Sequence, residues 1–358
     1  MRCSKDGRAF KMTRFKGIII LSAFAFISSF AWAEDDGSRM TGMRQPGQTG
    51  NMPSGNMPLP GNMPSGNMPG QMGQQPLEVP ENIQLDRDMV FATIDGQELK
   101  LDIAYPKDNK GKLPAIVYIH GGGWEGGGKP TDQTVLFAGY GFVGIAIEYR
   151  VSSTAKFPAA VHDCKTAIRW IRANAKKYGI DPDRIGVIGE SAGGHLSALM
   201  GASGGDAYLE GDGPYREYKS SVQAVVDLFG PTDLTAAEDA ITPTMDYNSE
   251  SSPVTKFLGK PPKDALDLAK KASPVAYVDA KTPPTLIIHG EMDNIVNMHQ
   301  AELLYNALIK AGVKTNLIRV KNAGHGLGPA SQGAEVRPSA KEIEAMEVQW
   351  FKDAFGMK

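Results

Sequence analysis

Residues 183–196 read DRIGVIGESAGGHL, an apolar run that ends in a serine between two glycines. The apolar part is typical of a buried β-strand, and SAGGHLSALMGA, which follows it, has the composition of a helix. Ser191 therefore falls at a strand-to-helix turn, inside the pattern G-x-S-x-G that Gly189 and Gly193 complete. Such a turn strains the serine backbone and leaves no room for side chains at the glycine positions. The stretch predicts a nucleophilic serine.

More apolar runs alternate with helix-like segments on both sides of this stretch. They read AIVYIHGGG, FVGIAIEYR, VQAVVDLFG and TLIIHGEMD, and Asp95-Gly96 marks the turn of a hairpin that precedes them. Strands that are apolar along their whole length, with helices between them, are typical of a mostly parallel sheet covered on both faces. We predict one α/β domain over residues 77–358, with an irregular insertion at 230–273.

A serine hydroxyl needs a general base, and the base needs an acid that orients it. His325, in NAGHGLGP, follows the last apolar run and lies in a glycine-rich loop, which makes it the predicted base. The acid should follow a strand and lie between serine and histidine in the chain. Asp293, in LIIHGEMDNIV, satisfies both conditions better than Glu291 or Asp233, which suit loop or helix-cap roles. The other histidines fall within helices, at a helix start or at strand ends: His120, His162, His195, His289 and His299.

The tetrahedral oxyanion formed in acyl transfer needs hydrogen-bond donors aimed at it. HGGGW, residues 120–124, follows a predicted strand and offers backbone N–H groups without obstructing side chains. We therefore expect Gly122, Gly123 and the N–H of Ala192 to form the oxyanion hole. Trp124 is the predicted substrate contact, although packing explains it equally well, and the insertion is expected to help shape the pocket.

The first 33 residues have the pattern of a secretory signal peptide. Basic residues precede the apolar run GIIILSAFAFISSF, and AWA at 31–33 is a small-residue cleavage site before an acidic residue. Residues 34–76 hold repeats such as GNMPS and are read as a low-complexity linker that builds no core. Cleavage after Ala33 would give a secreted or periplasmic protein with Cys164, a predicted packing residue, as its one cysteine.

Charge excludes one class of partner. The predicted signal peptide holds six of the 38 basic residues and one of the 40 acidic ones, so the remainder is distinctly acidic. A nucleic-acid-binding domain needs a basic surface, and none is predicted. No membrane insertion is expected after signal cleavage, and the oligomeric state is left open.

The motifs together resemble the α/β-hydrolase fold esterases, most closely the bacterial feruloyl esterase and acetyl esterase-like branch near the hormone-sensitive lipase family. HGGGW, GESAGGHL, LFGPTDL, HGEMDNIV and AGHG carry the resemblance, in the family's order, over residues 90–355. It implies a Ser191, Asp293 and His325 triad that works through an acyl-enzyme without cofactor or metal. The implied substrates are short-chain esters or carbohydrate-linked acyl esters, with feruloyl or acetyl groups of plant cell-wall polysaccharide as examples.

Two other functions fit the same sequence. A serine exopeptidase on this fold also carries G-x-S-x-G and a late histidine, although the HGGG loop favours an esterase. A non-catalytic binding module is the second alternative, and such modules normally lose a triad residue, whereas all three are present here.

Overall fold

The computed structural model describes residues 77–357 apart from 237, 238, 240, 241 and 243. The predicted signal peptide and the predicted linker lie outside the described residues. Eight strands of the described part form one sheet in the order β1-β2-β4-β3-β5-β6-β7-β8. The strands are β1 Ile83–Ile94, β2 Gln97–Pro106, β3 Leu113–Ile119, β4 Val143–Ile147, β5 Ile180–Glu190, β6 Ala224–Leu228, β7 Thr285–Gly290 and β8 Thr315–Val320.

Among the eight strands of this sheet, antiparallel pairing is confined to the first three in the sheet order. β1 and β2 form the predicted hairpin, whose turn residues Asp95 and Gly96 both have positive φ, 52° and 82°. β2 also runs antiparallel to β4, and all remaining pairs from β4 to β8 are parallel. The prediction of a mostly parallel sheet is therefore confirmed.

Helices cover both faces of the sheet. They are α1 Thr131–Gly139, α2 Ala159–Ala173, α3 Ala175–Tyr178, α4 Ala192–Ala202, α5 Ala207–Glu210, α6 Pro253–Leu258, α7 Leu266–Lys271, α8 Met298–Lys310 and α9 Ala340–Ala354. Side chains of one strand alternate between the two faces. In β3, Val117 packs in the core under α2 and α4, while Ile116 packs in the core under α1 and α9. Burial on both faces explains why the central strands are apolar throughout.

The insertion predicted at 230–273 lies between β6 and β7. It contains α6, α7 and a 3₁₀ helix at Pro262–Asp264, so it is less irregular than its proline content indicates. Pro253, at the start of α6, lies close to the glycine loop after β3, since a Cβ on Gly123 would come 3.1 Å from the Pro253 Cβ. The insertion therefore packs against the carboxyl edge of the sheet. In open α/β sheets this edge is where ligands bind.

Candidate active site

Ser191 lies at the turn between β5 and α4 in a strained backbone conformation. Its φ of 52° and ψ of −117° are unusual for a residue with a side chain. A Cβ on Gly189 would come 2.4 Å from the Gly193 carbonyl oxygen, and a Cβ on Gly193 would come 2.0 Å from the carbonyl oxygen of Ile119. Both glycines are therefore required by the close approach of β3, β5 and α4, as the G-x-S-x-G pattern predicts.

The structure brings together the three residues predicted to form a triad. His325 lies in the loop after β8, and its Nε2 is 2.9 Å from the Ser191 Oγ. Its Nδ1 is 2.8 Å from the Asp293 Oδ2 in the loop after β7. Each of the three follows the carboxyl end of a parallel strand, so the topology places them at one edge although 134 positions separate serine from histidine.

The environment of Asp293 fixes how protons are shared among the three. Burial opposes ionisation, but hydrogen bonds from His289 and His325 outweigh it and hold the pKa of the Asp293 carboxyl well below its usual range. The ionised carboxylate only accepts, so the His325 Nδ1 carries the proton of that hydrogen bond. In the neutral ring Nε2 is then bare and accepts the Ser191 hydroxyl proton. This is the arrangement that a general base requires.

The glycine loop after β3 lies against Ser191. A Cβ on Gly121 would come 3.4 Å from the Ser191 Cβ, so the backbone of the loop and the serine are close neighbours. Gly122 and Gly123 have φ values of 104° and 62°, and both line the same cleft as Ser191 and Ala192. Within the described residues, the N–H groups of Gly122 and Gly123 have no backbone acceptor. They remain available to a ligand.

His120 supports this loop from behind and does not act on the serine. Its ring is buried and stacks on Tyr149 with 4.4 Å between ring centroids, and the Tyr149 hydroxyl donates to the His120 carbonyl at 3.0 Å. Burial lowers the pKa of His120, which favours the neutral ring. The stacked His120 ring and the hydrogen bond from Tyr149 therefore hold the glycine loop in its conformation.

A cleft of ≈ 450 Å³ opens beside Ser191. Apart from Ser191, His325, Glu125 and Glu190, its walls are glycine and apolar or aromatic residues. Trp124 is one of them, but only 3% of it is exposed, and it stacks on Phe257 of α6 at 4.5 Å. Packing thus accounts for most of its surface. The insertion contributes Pro231, Met245, Tyr247, Pro253 and Val254 to the walls.

The residues that the sequence offered as alternatives to the triad have other roles or other positions in the structure. Asp233 accepts hydrogen bonds from the backbone and side chain of Thr235, a local loop cap, and Glu291 is exposed. His195 is fully buried in α4, where its Nε2 is 2.7 Å from the Ala272 carbonyl oxygen. Burial lowers the pKa of His195 to about 4. Cys164 is buried in α2, as expected of a packing residue.

Two contacts of the triad were missed in the sequence. The ring of Phe229, just after β6, lies edge-on to the His325 ring at 4.9 Å between centroids. His289, near the end of β7, reaches Asp293 with 3.2 Å from Nε2 to Oδ2. The spacing i, i+4 across the end of a strand gives no periodic signal for such a contact. Only its position in HGEMD, beside the predicted acid, marks His289 in the sequence.

Several solved structures with a similar fold are named as esterases or ester hydrolases. A truncated carbohydrate esterase from gut microbiota is 33% identical, with a TM-score of 0.63 over 76% of this chain and 96% of that one. An acetyl ester-xyloside bifunctional hydrolase from Caldicellulosiruptor lactoaceticus is 29% identical, with a TM-score of 0.59 over 73% of this chain and 89% of that one. Together with the sheet order, these matches define the class: the chain has the α/β-hydrolase fold, as predicted.

The family follows from sequence comparison. The BD-FAE family profile matches residues 101–308, more than half of the chain, and the chain belongs to that family. Among curated relatives, esterase LipQ of Mycobacterium tuberculosis is 33% identical over 60% of this chain, and esterase LipC of the same organism is 33% identical over 68%. The aligned regions span 50% and 60% of those two relatives. The predicted resemblance to the feruloyl esterase and acetyl esterase-like branch is thereby confirmed.

No helix in the part of the chain that the structure describes combines the length and the apolar character needed to cross a membrane.

Proposed function

We propose that this protein is a serine-dependent carboxylic ester hydrolase with Ser191 as nucleophile, His325 as general base and Asp293 as orienting acid. One observation carries the proposal: the 2.9 Å contact from the Ser191 Oγ to the His325 Nε2, continued by the 2.8 Å contact from Nδ1 to Asp293. A serine hydroxyl held this way, on a strained turn at the start of a helix, is typical of acyl transfer. The esterase names of the relatives support the same function.

In the proposed first step, the Ser191 Oγ attacks the ester carbonyl carbon while the His325 Nε2 takes the hydroxyl proton. The carbonyl oxygen becomes an oxyanion, which accepts hydrogen bonds from the N–H groups of Gly122, Gly123 and Ala192. The partial positive charge at the start of α4 stabilises the same oxyanion. The imidazolium then gives its proton to the leaving alcohol oxygen as the ester bond breaks, and the acyl group stays on the serine.

In the proposed second step, water attacks the acyl-enzyme carbonyl carbon and gives a proton to the His325 Nε2. The oxyanion forms again and collapses, the bond to the Ser191 Oγ breaks, and His325 returns the proton to the serine oxygen. The carboxylic acid leaves. Asp293 stays ionised throughout and stabilises the imidazolium that forms in each half of the reaction.

We propose acyl esters carried by carbohydrates as the substrates, with acetyl or feruloyl groups of plant cell-wall polysaccharide as the specific case and short-chain esters as simple equivalents. Two structural relatives are named as carbohydrate-ester enzymes, which supports this class. The cleft is lined largely by apolar and aromatic groups and has no lysine or arginine among its lining residues. Such walls suit an uncharged acyl group better than an anionic one.

We further propose that residues 1–33 direct export and are removed, that residues 34–76 tether the enzyme, and that residues 77–358 form the catalytic domain. The sequence pattern of the first 76 residues is the support for the first two points. Sequencing the N-terminus of the mature protein from a bacterial host tests the export proposal, and we expect it to begin at Glu34. An unprocessed chain retained in the cytoplasm would contradict it.

The activity is tested on methyl ferulate, acetylated xylan, short p-nitrophenyl esters and peptidyl p-nitroanilides, with fluorophosphonate labelling as a readout of the nucleophile. Ser191→Ala should abolish both labelling and turnover. Ser197→Ala is the matched control, because it removes another buried hydroxyl from α4 that has no hydrogen-bond partner among the described residues. We expect Ser197→Ala to retain activity within about threefold, because the Ser197 hydroxyl makes no hydrogen bond to a triad residue.

The outcomes separate the alternatives. Turnover of the carbohydrate esters and short esters supports the proposal, whereas activity confined to long-chain esters would refute the substrate class. Faster cleavage of the p-nitroanilides than of any ester would make the protein a peptidase. Full biological effect of Ser191→Ala would show that the fold serves as a binding module.

A further inference from the structure

Asp293 is surrounded by four donors, three of which come from outside the triad. Its Oδ1 accepts from the backbone N–H groups of Ile295 and Val296, at 2.9 and 3.0 Å. Its Oδ2 accepts from the His325 Nδ1 at 2.8 Å and lies 3.2 Å from the His289 Nε2. His289 therefore shares with His325 the oxygen on which orientation of the general base depends.

Hydrogen bonding fixes the tautomer of His289. Its Nε2 is also 3.0 Å from the Val296 carbonyl oxygen, so it faces two groups, a carboxylate and a carbonyl, that only accept. Nε2 therefore carries a proton, which is donated to the Val296 carbonyl oxygen and faces the Asp293 Oδ2. The Nδ1 is buried and has no hydrogen-bond partner within the described residues, so nothing there competes for the opposite tautomer.

The position of His289 is rigid. It lies in β7 between β6 and β8, and none of its side chain is exposed. Because it contacts Asp293 and donates to the backbone of Val296, it connects the strand to two points of the loop that carries the acid. A carboxylate in a loop is otherwise positioned only by that loop, and side chains on strands are placed more accurately than side chains on loops.

The titratable groups that face this pair are few among the described residues. Asp227 of β6 pairs in register with Ile287, so its side chain lies on the same face of the sheet as His289. Asp227 is fully buried, its Oδ1 accepts from the Gly230 N–H at 3.0 Å, and burial raises its pKa to about 7. Tyr247 also lies near Asp293, and burial raises the pKa of the Tyr247 hydroxyl above its usual value.

We propose that His289 is a positioning residue for the proposed hydrolysis: its Nε2–H holds the Asp293 carboxylate in the orientation that keeps His325 directed at Ser191. The inference rests on the proposed function for its kinetic consequence but not for its geometry. Without this donor, Asp293 keeps its loop contacts, but the oxygen that serves His325 loses one of its two restraints. A displacement of about 1 Å at such a site costs on the order of 100-fold in rate.

Two substitutions of His289 separate positioning from packing. His289→Gln retains an N–H donor near the position of Nε2, whereas His289→Leu fills the space without a donor. We expect His289→Leu to lower kcat/KM about 10- to 100-fold, mainly through kcat, and to move the acid limb of the pH–rate profile to higher pH. The shift follows because an Oδ2 with one donor fewer attracts the proton on His325 more strongly. His289→Gln should restore kcat to within about fivefold and restore the acid limb.

A double-mutant cycle with Asp293→Asn tests whether His289 acts through Asp293. In the Asp293→Asn background, His289→Leu should change kcat/KM by less than about twofold, because the carboxylate that it positions is gone. Independent losses that multiply would overturn the proposal, and so would equal losses for His289→Gln and His289→Leu. Thermal unfolding and far-UV circular dichroism of each variant separate a rate loss from a folding loss.

A measurement on the unmutated chain keeps the inference testable if His289→Leu does not fold. Nitrogen-15 NMR of histidine-labelled full-length protein, assigned with His289→Gln, should show a proton on Nε2 at neutral pH. An unprotonated Nε2 would overturn the proposal. This readout needs no substrate, so a wild-type protein that turned over no ester would refute the proposed function, while the NMR result still decided whether His289 carries the donor that the inference requires.

Discussion

The substitution Asp293→Asn tests the site most directly, because the four donors around the carboxylate leave no good place for an amide. If the amide nitrogen faces the loop, it opposes the N–H groups of Ile295 and Val296. If it faces the triad, it opposes the His289 Nε2–H and the proton on the His325 Nδ1. Either orientation sets a donor against two donors.

The second orientation has a defined chemical consequence. His325 can accept from the amide only after its proton moves to Nε2, and a protonated Nε2 cannot take the proton of Ser191. The corresponding substitution in the serine protease triad lowers kcat about 10⁴-fold, and we expect a loss of the same size here. At about 1.4 kcal/mol for each tenfold change, this loss corresponds to a barrier higher by about 5.5 kcal/mol.

The assay is steady-state hydrolysis of p-nitrophenyl acetate at several pH values, with fluorophosphonate labelling to score the nucleophile separately. Glu291→Gln is the matched control, because it is the same carboxyl-to-amide change two positions away on an exposed side chain. We expect the control to stay within about twofold of wild type. An Asp293→Asn enzyme that lost less than tenfold in kcat, with its fold intact, would refute the reasoning.

Three further predictions concern packing and pH. Gly193→Ala should abolish labelling or folding, because the new Cβ would lie 2.0 Å from a backbone oxygen of β3. In the control Gly128→Ala, the new Cβ has no atom within 4 Å, so labelling and thermal unfolding should stay unchanged. Trp124→Ala should lower the free energy of unfolding by about 3–5 kcal/mol in a urea titration, because it removes a buried ring stacked on Phe257, and a loss below 1 kcal/mol would contradict its packing role. Burial, and after it the carboxylate of Glu344 on α9, raises the pKa of Glu347 to about 8, above its value of 4.5 in the unfolded chain. The contribution of Glu347 to stability therefore falls as the pH rises between those two values. Glu347→Gln should therefore raise the melting temperature at pH 9 but not at pH 4, and equal changes at the two pH values would contradict this.

The local features of the fold could be predicted from the sequence because each depends on a short stretch of the chain. Apolar runs without alternation specify strands buried on both faces, as in β3, β5 and β6. The edge strand β8 departs from that pattern: only Val320 of its six residues is buried, because an edge strand has one open side. The strand-to-helix turn at Ser191 could also be predicted from the sequence, since its geometry forbids side chains at 189 and 193.

Pairings between distant segments needed the tertiary structure. Chain order and loop context nominated Asp293 and His325, but the distances that relate them to Ser191 depend on the order of β5, β7 and β8 in the sheet. The contribution of the insertion to the cleft was expected only in outline. The roles of Pro253 and Tyr247 follow from where the insertion packs, which no local pattern encodes.

His289 shows the difference most clearly. In the sequence it is a histidine at the end of an apolar strand, and only its position close to Asp293 marks it. In the structure it is fully buried and shares a carboxylate oxygen with His325, which lies 36 positions further along the chain by residue number. Local sequence determined the strands, the serine turn and the glycine loop, because short-range sterics and burial dictate them. Tertiary structure decided which donors surround Asp293, because hydrogen bonds between distant residues depend on how the whole sheet is assembled.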